Sequence, residues 1–124
     1  MIEIIPIKKI AEDQRGATHY FDTDRTGQFI IGYRKAGSVS ARHYHKGIMP
    51  GKNPEQVIIM SGQATVNWFD LNGDAKGSDK LVAPAMLVVY PFTWHEVIAD
   101  TDIVMFELNA LEDGRQDVFQ LEEK

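Results

Sequence analysis

Apolar residues in this chain gather into short runs separated by turn-forming residues, and the runs are too brief for helices. Phe29-Ile30-Ile31-Gly32-Tyr33 is one run bounded by turn signals and predicts a strand. Val57-Ile58-Ile59-Met60 predicts a second, which Ser61-Gly62-Gln63 turns into a third over 64–69. Asp70-Leu71-Asn72-Gly73-Asp74 reads as a hairpin turn, because Asn-Gly tolerates positive φ. Further strands are expected over 80–82, 86–90, 95–99 and 103–108, and no segment sustains helical periodicity. Short strands broken by closely spaced turns favour an all-β double-sheet sandwich or barrel over a parallel sheet.

Composition adds bounds to that picture. The chain's 124 residues, 44% of them hydrophobic, suit one domain with its own core. The expected unit is 1–124, with 1–27 as N-terminal strands and 110–124 as a C-terminal tail that frays over 121–124. A net charge of −5 argues against nucleic acid as a partner. No apolar run approaches the roughly 20 residues of a membrane span. The acid at position 3 does not suit a signal peptide, and the absence of cysteine fits a cytoplasmic protein without disulfides.

The chemistry concentrates between Gly37 and Gly62. His43 and His45 are two apart, so on a strand they point to one face. Glu55 opens the next strand, and His95 closes the apolar run 87–94. Three imidazoles and one carboxylate suit a divalent metal with open positions. With no thiolate in the set, iron, manganese, nickel, cobalt and zinc all remain candidates. The alternative for each histidine is a satisfied core or surface residue, and for Glu55 a solvated loop acid.

These residues resemble the cupin superfamily. Its first motif is a Gly, five residues, His-x-His, a gap, then Glu, six residues and Gly. Gly37 to His43 and Glu55 to Gly62 keep both spacings, whereas nine residues separate His45 from Glu55. The second motif, a Pro-containing turn leading to His, is matched by Pro91-Phe92-Thr93-Trp94-His95 without its glycine. The resemblance covers 28–109 and implies a jelly-roll barrel, with His43, His45, Glu55 and His95 as ligands of one divalent metal. The function it implies is a metal-binding enzyme acting on a small polar substrate.

A second resemblance, within the cupins, is to nucleotide-sugar epimerases and ketoisomerases. It rests on Asp13-Gln14-Arg15-Gly16, on His43-Tyr44-His45-Lys46 and on Glu55-Gln56-Val57-Ile58-Ile59-Met60-Ser61-Gly62. In that group a histidine, helped by a tyrosine, moves a proton beside a ketone without metal. It implies His43 or His45 as base, with Tyr33 or Tyr90 as acid. Arg15, Arg34, Arg42 and Lys46 would meet a diphosphate. His95 is then surplus, and His19 is read as an exposed histidine. A third possibility is a non-catalytic module that binds a small molecule.

Three further readings stay open. Trp68, Phe92 and Trp94 are read as core or pocket wall, with Gln56 and Trp94 facing away from Glu55 and His95. The insert 46–54, with two glycines and two prolines, is either a lid carrying Lys46 or Lys52 or a tolerated rim insertion. The apolar N-terminus, 1–7, either completes its own barrel or pairs with a second copy, and a homodimer is expected.

Overall fold

The computed structural model describes residues 1–121. The C-terminal residues 122–124, where fraying was expected, lie outside the described residues. The strands are β1 (Ile2–Pro6), β2 (Lys8–Asp13), β3 (Gly16–Tyr20), β4 (Ile30–Arg34), β5 (Val39–His43) and β6 (Glu55–Ser61). They continue with β7 (Gln63–Asp70), β8 (Lys76–Val82), β9 (Ala85–Val89), β10 (Thr93–Ala99) and β11 (Ile103–Glu107). One short helix, α1 (Leu111–Gln116), follows. A sheet ordered β1-β9-β6-β11-β4 and a second ordered β5-β10-β7-β8 form the barrel, and β2-β3 is a separate ribbon. All pairings are antiparallel.

Side-chain alternation decides what enters the barrel. In β10, Thr93, His95, Val97 and Ala99 are buried, while the residues between them are half-buried. The main core draws on both sheets: Val57, Ile59, Leu87, Val89 and Met105 from one, Ala64, Val66, Leu81, Val97 and Ala99 from the other. Strand β9 is buried along its whole length. Its Met86 and Val88 turn outward, where they pack with Ile58 and Leu108 and with the partly buried Ile7, Phe29, Tyr90 and Phe106. That second cluster is why 86–90 reads as continuous apolar sequence rather than alternation.

The hairpin between β7 and β8 falls where Asn72-Gly73 placed it and closes with Asp70 N–H donating to Ala75 O at 2.8 Å. Neither Asn72 nor Gly73 has positive φ, however. The loop spans more than two residues, so the left-handed pair of a tight hairpin is not required. Gly62 does need its freedom: φ is +87° in the β6–β7 turn, and a Cβ there would sit 2.2 Å from the Asp102 carbonyl oxygen. The sequence shows no helix, yet α1 forms, since its single short stretch is too brief to display a period. Asp113 caps it by accepting from Ala110 N–H at 2.8 Å.

At the N-terminus, β1 pairs with β9 of its own sheet, so the barrel-completing alternative describes it. Among the described residues no helix is long and apolar enough to cross a membrane.

Candidate active site

Strand pairing brings the histidines together. His43, at the end of β5, lies opposite His95 on β10, and a bulge interrupts that pairing at the next residue. Ala41 and Arg42 take φ of 70° and 61°, a left-handed pair that bends β5 at this point. Bulges of this kind re-aim a side chain beside a site, and here the ring re-aimed is that of His43. His45 follows through Tyr44, whose backbone bridges Phe119 with two bonds of 3.0 Å. Ring centroids are 4.8 Å apart for His43–His45, 4.9 Å for His43–His95 and 5.2 Å for His45–His95. One nitrogen from each ring lies within 4.8 Å of the others.

Glu55 opens β6 in the facing sheet and is buried with them. Its Oε2 is 3.3 Å from His45 Nε2, and its Oε1 is 3.4 Å from His95 Nε2. The outer ring nitrogens fix the tautomers. His45 Nδ1–H donates to Asp117 O at 2.7 Å, and His95 Nδ1–H donates to Thr93 O at 3.0 Å. A carbonyl only accepts, so Nδ1–H points outward in each ring and Nε2 is turned inward toward Glu55. Both Nε2 atoms are buried without a hydrogen-bond partner. Two imidazole Nε2 atoms and a carboxylate thus converge on one point. The donor set fits a divalent metal, and carbonyl-anchored Nδ1–H groups are the usual support for metal-bound imidazoles.

A cation from the chain is already present. Lys52, 4% exposed, reaches in from the insert and places Nζ 2.6 Å from Glu55 Oε2. Burial alone would raise the Glu55 carboxyl. His45, His95 and the Lys52 ammonium outweigh it and hold the group well below the usual range. The insert is held on two sides. Asp117, fully buried, accepts from Lys46 N–H at 2.7 Å and Met49 N–H at 3.0 Å. Arg25 donates to Gly51 O at 3.0 Å and Pro54 O at 2.6 Å.

His43 faces a cavity of 170 Å³ whose polar lining is Arg34, Ser40, Glu55, His95 and Glu107. Burial, with the neighbouring imidazoles of His95 and His45, pushes its pKa down to about 3. The ring is therefore neutral at working pH. Glu107 moves the other way: burial, then the nearby Glu55 charge, raises its carboxyl. Arg34 donates to Ser40 Oγ at 3.0 Å and to Tyr33 O at 3.0 Å.

Other expected site residues lie elsewhere. Tyr33 is 73% exposed, on the side of β4 opposite to Arg34. Tyr90 continues the outward parity of Met86 and Val88, packs in their cluster and donates its hydroxyl to Glu3. Neither tyrosine lines the histidine cavity. Lys46 Nζ sits 4.2 Å from the Phe119 ring centroid, also outside it. Arg42 is at the surface, 3.4 Å from Glu96, and Arg15 pairs with Asp13 at 2.8 Å. His19 is exposed on the β2–β3 ribbon. Gln56 faces away from Glu55 and accepts from Thr23 Oγ1 at 2.6 Å. Trp94 stacks on Phe69 with centroids 5.2 Å apart, and Trp68 Nε1–H donates to Asp79 at 2.8 Å.

Sequence reasoning missed Glu107 and Asp117 and treated Lys52 only as a lid cation. Glu107 had a signal: it shares parity with the inward Ile103 and Met105 of β11. Asp117 had none, being brought in by the fold of the tail.

No protein-family model matches the chain, and no curated protein matches it. Among solved structures it is similar to QdtA, a sugar 3,4-ketoisomerase from Thermoanaerobacterium thermosaccharolyticum in complex with TDP. That match has 17% identity and a TM-score of 0.71, covering 97% of this chain and 88% of that one. It is also similar to the dTDP-4-dehydrorhamnose 3,5-epimerase of Sulfolobus tokodaii, at 16% identity and a TM-score of 0.66, covering 99% and 72%. The corresponding epimerase of Bacillus anthracis, with TDP and PPi bound, gives 16% identity and a TM-score of 0.65, covering 98% and 74%. At these identities the likeness establishes the fold alone, a jelly-roll barrel.

Proposed function

We propose that this chain is a sugar-nucleotide isomerase or epimerase that moves a proton beside a ketone by acid–base chemistry. The observation that carries the reading is a pair of oppositely shifted groups on one cavity, the neutral His43 imidazole and the Glu107 carboxyl, with Arg34 beside them. The likeness to TDP-sugar enzymes supports the substrate class.

In this reading the His43 imidazole takes the proton from the carbon next to the ketone. The C–H electron pair becomes the C=C of an enediol as the ketone oxygen gains a proton from Glu107. Arg34 stabilises negative charge developing on that oxygen. Returning the proton to the neighbouring carbon, with loss of the second hydroxyl proton, moves the carbonyl by one position. Returning it to the opposite face of the same carbon inverts the centre. The acid role passes from Tyr33 and Tyr90 to Glu107, because neither tyrosine reaches the cavity. At 170 Å³ the cavity suits a sugar ring rather than a whole nucleotide sugar. The diphosphate would then lie across the rim, with the exposed Arg42 in the bend of β5 as its candidate partner.

The test is proton exchange in D2O with TDP-4-keto-6-deoxyglucose, followed by NMR on chelator-treated protein. Deuterium should enter next to the ketone, and His43→Gln should slow its entry by at least about 100-fold. No exchange with this or related TDP-ketosugars would refute the reading, and tight binding without exchange would leave a non-catalytic binding module.

A second reading, a metal-dependent cupin enzyme, is favoured by the two orphaned Nε2 atoms. His43, His45, His95 and Glu55 would hold the ion, which would polarise a carbonyl or lower the pKa of a bound water.

Assembly as a homodimer belongs to the same proposal. Strand register puts Ile31, Phe106, Ile58, Met86 and Ile5 in one outward row. Ile31 and Ile5 are exposed, as is Met60 beyond them on β6. The β2–β3 ribbon is exposed along its whole length, and a two-stranded ribbon is marginal without something to rest on.

A further inference from the structure

The insert between His45 and Glu55 directs one side chain inward. Gly47, Ile48, Pro50, Gly51 and Asn53 border a separate outer cleft, while Lys52 alone turns into the histidine cluster. Its path is set by the loop: Lys52 N–H donates to Met49 O at 2.9 Å, and Lys52 bridges Glu55 through the backbone. Asp117 and Arg25 grip the loop on either side of it. A lysine this deeply buried is costly unless its charge is matched, and Glu55 matches it. Lys52 Nζ donates to Glu55 Oε2 at 2.6 Å. His45 Nε2 and His95 Nε2 lie 3.3 and 3.4 Å from the same carboxylate and have no hydrogen-bond partner of their own.

We propose that Lys52 is a tethered internal cation that neutralises Glu55, the carboxylate a divalent metal would share with His43, His45 and His95. It keeps metal out of a cluster otherwise built to bind one. This rests on the metal-free reading of the site and extends it, because it assigns the electrostatic role of the metal to a residue of the insert. Removing the ammonium leaves the Glu55 carboxylate without its cation, and a divalent ion then has a complete ligand set. Lys52 would act as a positioning residue, holding Glu55 without touching substrate.

The experiment is Co2+ binding, read by calorimetry, by metal content after gel filtration and by visible absorption. Wild type is compared with Lys52→Met, which keeps length and suits burial, and with Lys52→Gln. Wild type should retain no stoichiometric Co2+, whereas Lys52→Met should retain about one equivalent and bind at least about 100-fold more tightly. Adding His95→Ala to Lys52→Met should abolish the gain. Stoichiometric Co2+ in wild type at an affinity similar to the variant's would overturn the proposal. So would folded Lys52→Met and Lys52→Gln proteins, matched to wild type by circular dichroism, that take up none. Should both variants unfold, wild type still decides the matter through reductive methylation and peptide mass analysis. Lys52 must then stay unmodified while surface lysines react, and a methylated Lys52 overturns its placement. None of these readouts uses turnover, so failure here is separate from failure to exchange protons on a ketosugar.

Discussion

Acid should unfold this protein earlier than its carboxylates alone would require, and His43 is the reason. Its pKa falls from an ordinary 6.5 to about 3 in the folded barrel. Between those values the unfolded chain binds a proton at this position that the native chain does not, so stability drops as pH falls through 6.5. From pH 7 to pH 5 the difference integrates to about 2 kcal/mol, at about 1.4 kcal/mol per unit once the unfolded ring is fully titrating. His43→Gln removes that contribution. Urea unfolding followed by the fluorescence of Trp68 and Trp94, at both pH values, measures it. Wild type should lose about 2 kcal/mol more than the variant between pH 7 and 5. The upper pH range isolates the effect. Glu55, with its carboxyl held low, contributes stability that is lost only below the ordinary carboxylate value of 4.5. Glu107, held high, has the opposite sign, since its protonated form favours the native state as pH falls. It is common to both proteins and cancels in the difference. Equal losses in wild type and His43→Gln would refute the claim that the cavity keeps this ring neutral.

Two further outcomes are expected. Asp117→Ala strips the acceptor from Lys46 N–H and Met49 N–H, so it should lower stability by about 2–4 kcal/mol and open the insert to limited proteolysis; unchanged cleavage within 46–54 would show that Arg25 alone holds the loop. Sedimentation of wild type should give twice the mass of one chain, and Ile31→Lys with Tyr33→Lys should return a monomer, because both side chains point outward from β4; a wild-type monomer would refute the dimer.

Periodicity made the barrel legible where strands are half-buried and silent where they are not. The run 57–60 located β6 as continuous apolar sequence, and in β7 Ala64, Val66 and Trp68 alternate with Thr65 and Asn67. Strand β8 was read only over 80–82, since its early residues Lys76, Ser78 and Asp79 give no apolar signal and only Leu81 is buried. The two exposed strands of the ribbon were expected only as unspecified N-terminal strands. For the site, motif spacing picked out His43, His45, Glu55 and His95, and the structure brings all four together. The tyrosines illustrate a signal that was present and unused. Arg34 faces inward and Val89 is in the main core, so their neighbours Tyr33 and Tyr90 must face out. Asp117 differs in kind: it reaches His45 and the insert across 72, 71 and 68 residues of sequence, and no local pattern announces such a contact.

Lys52 is where the motif and the structure part company, and charge explains why that single residue matters. With Glu55 ionised and Lys52 protonated, the buried pair is neutral. A divalent ion added beside that pair would raise the local charge by two and would face the Lys52 ammonium. At a separation of about 4 Å, two unit charges near a protein surface interact by about 4 kcal/mol, and the figure doubles for a divalent ion against an ammonium. An imidazole ligand adds no negative charge to answer that. In the proposed reading a metal takes Glu55 as ligand only in place of Lys52, and Asp117 and Arg25 hold the loop that would have to move. On that proposal the nine residues between His45 and Glu55 decide which chemistry the three histidines serve. A shorter gap would supply a ligand set and no cation, whereas this one supplies both.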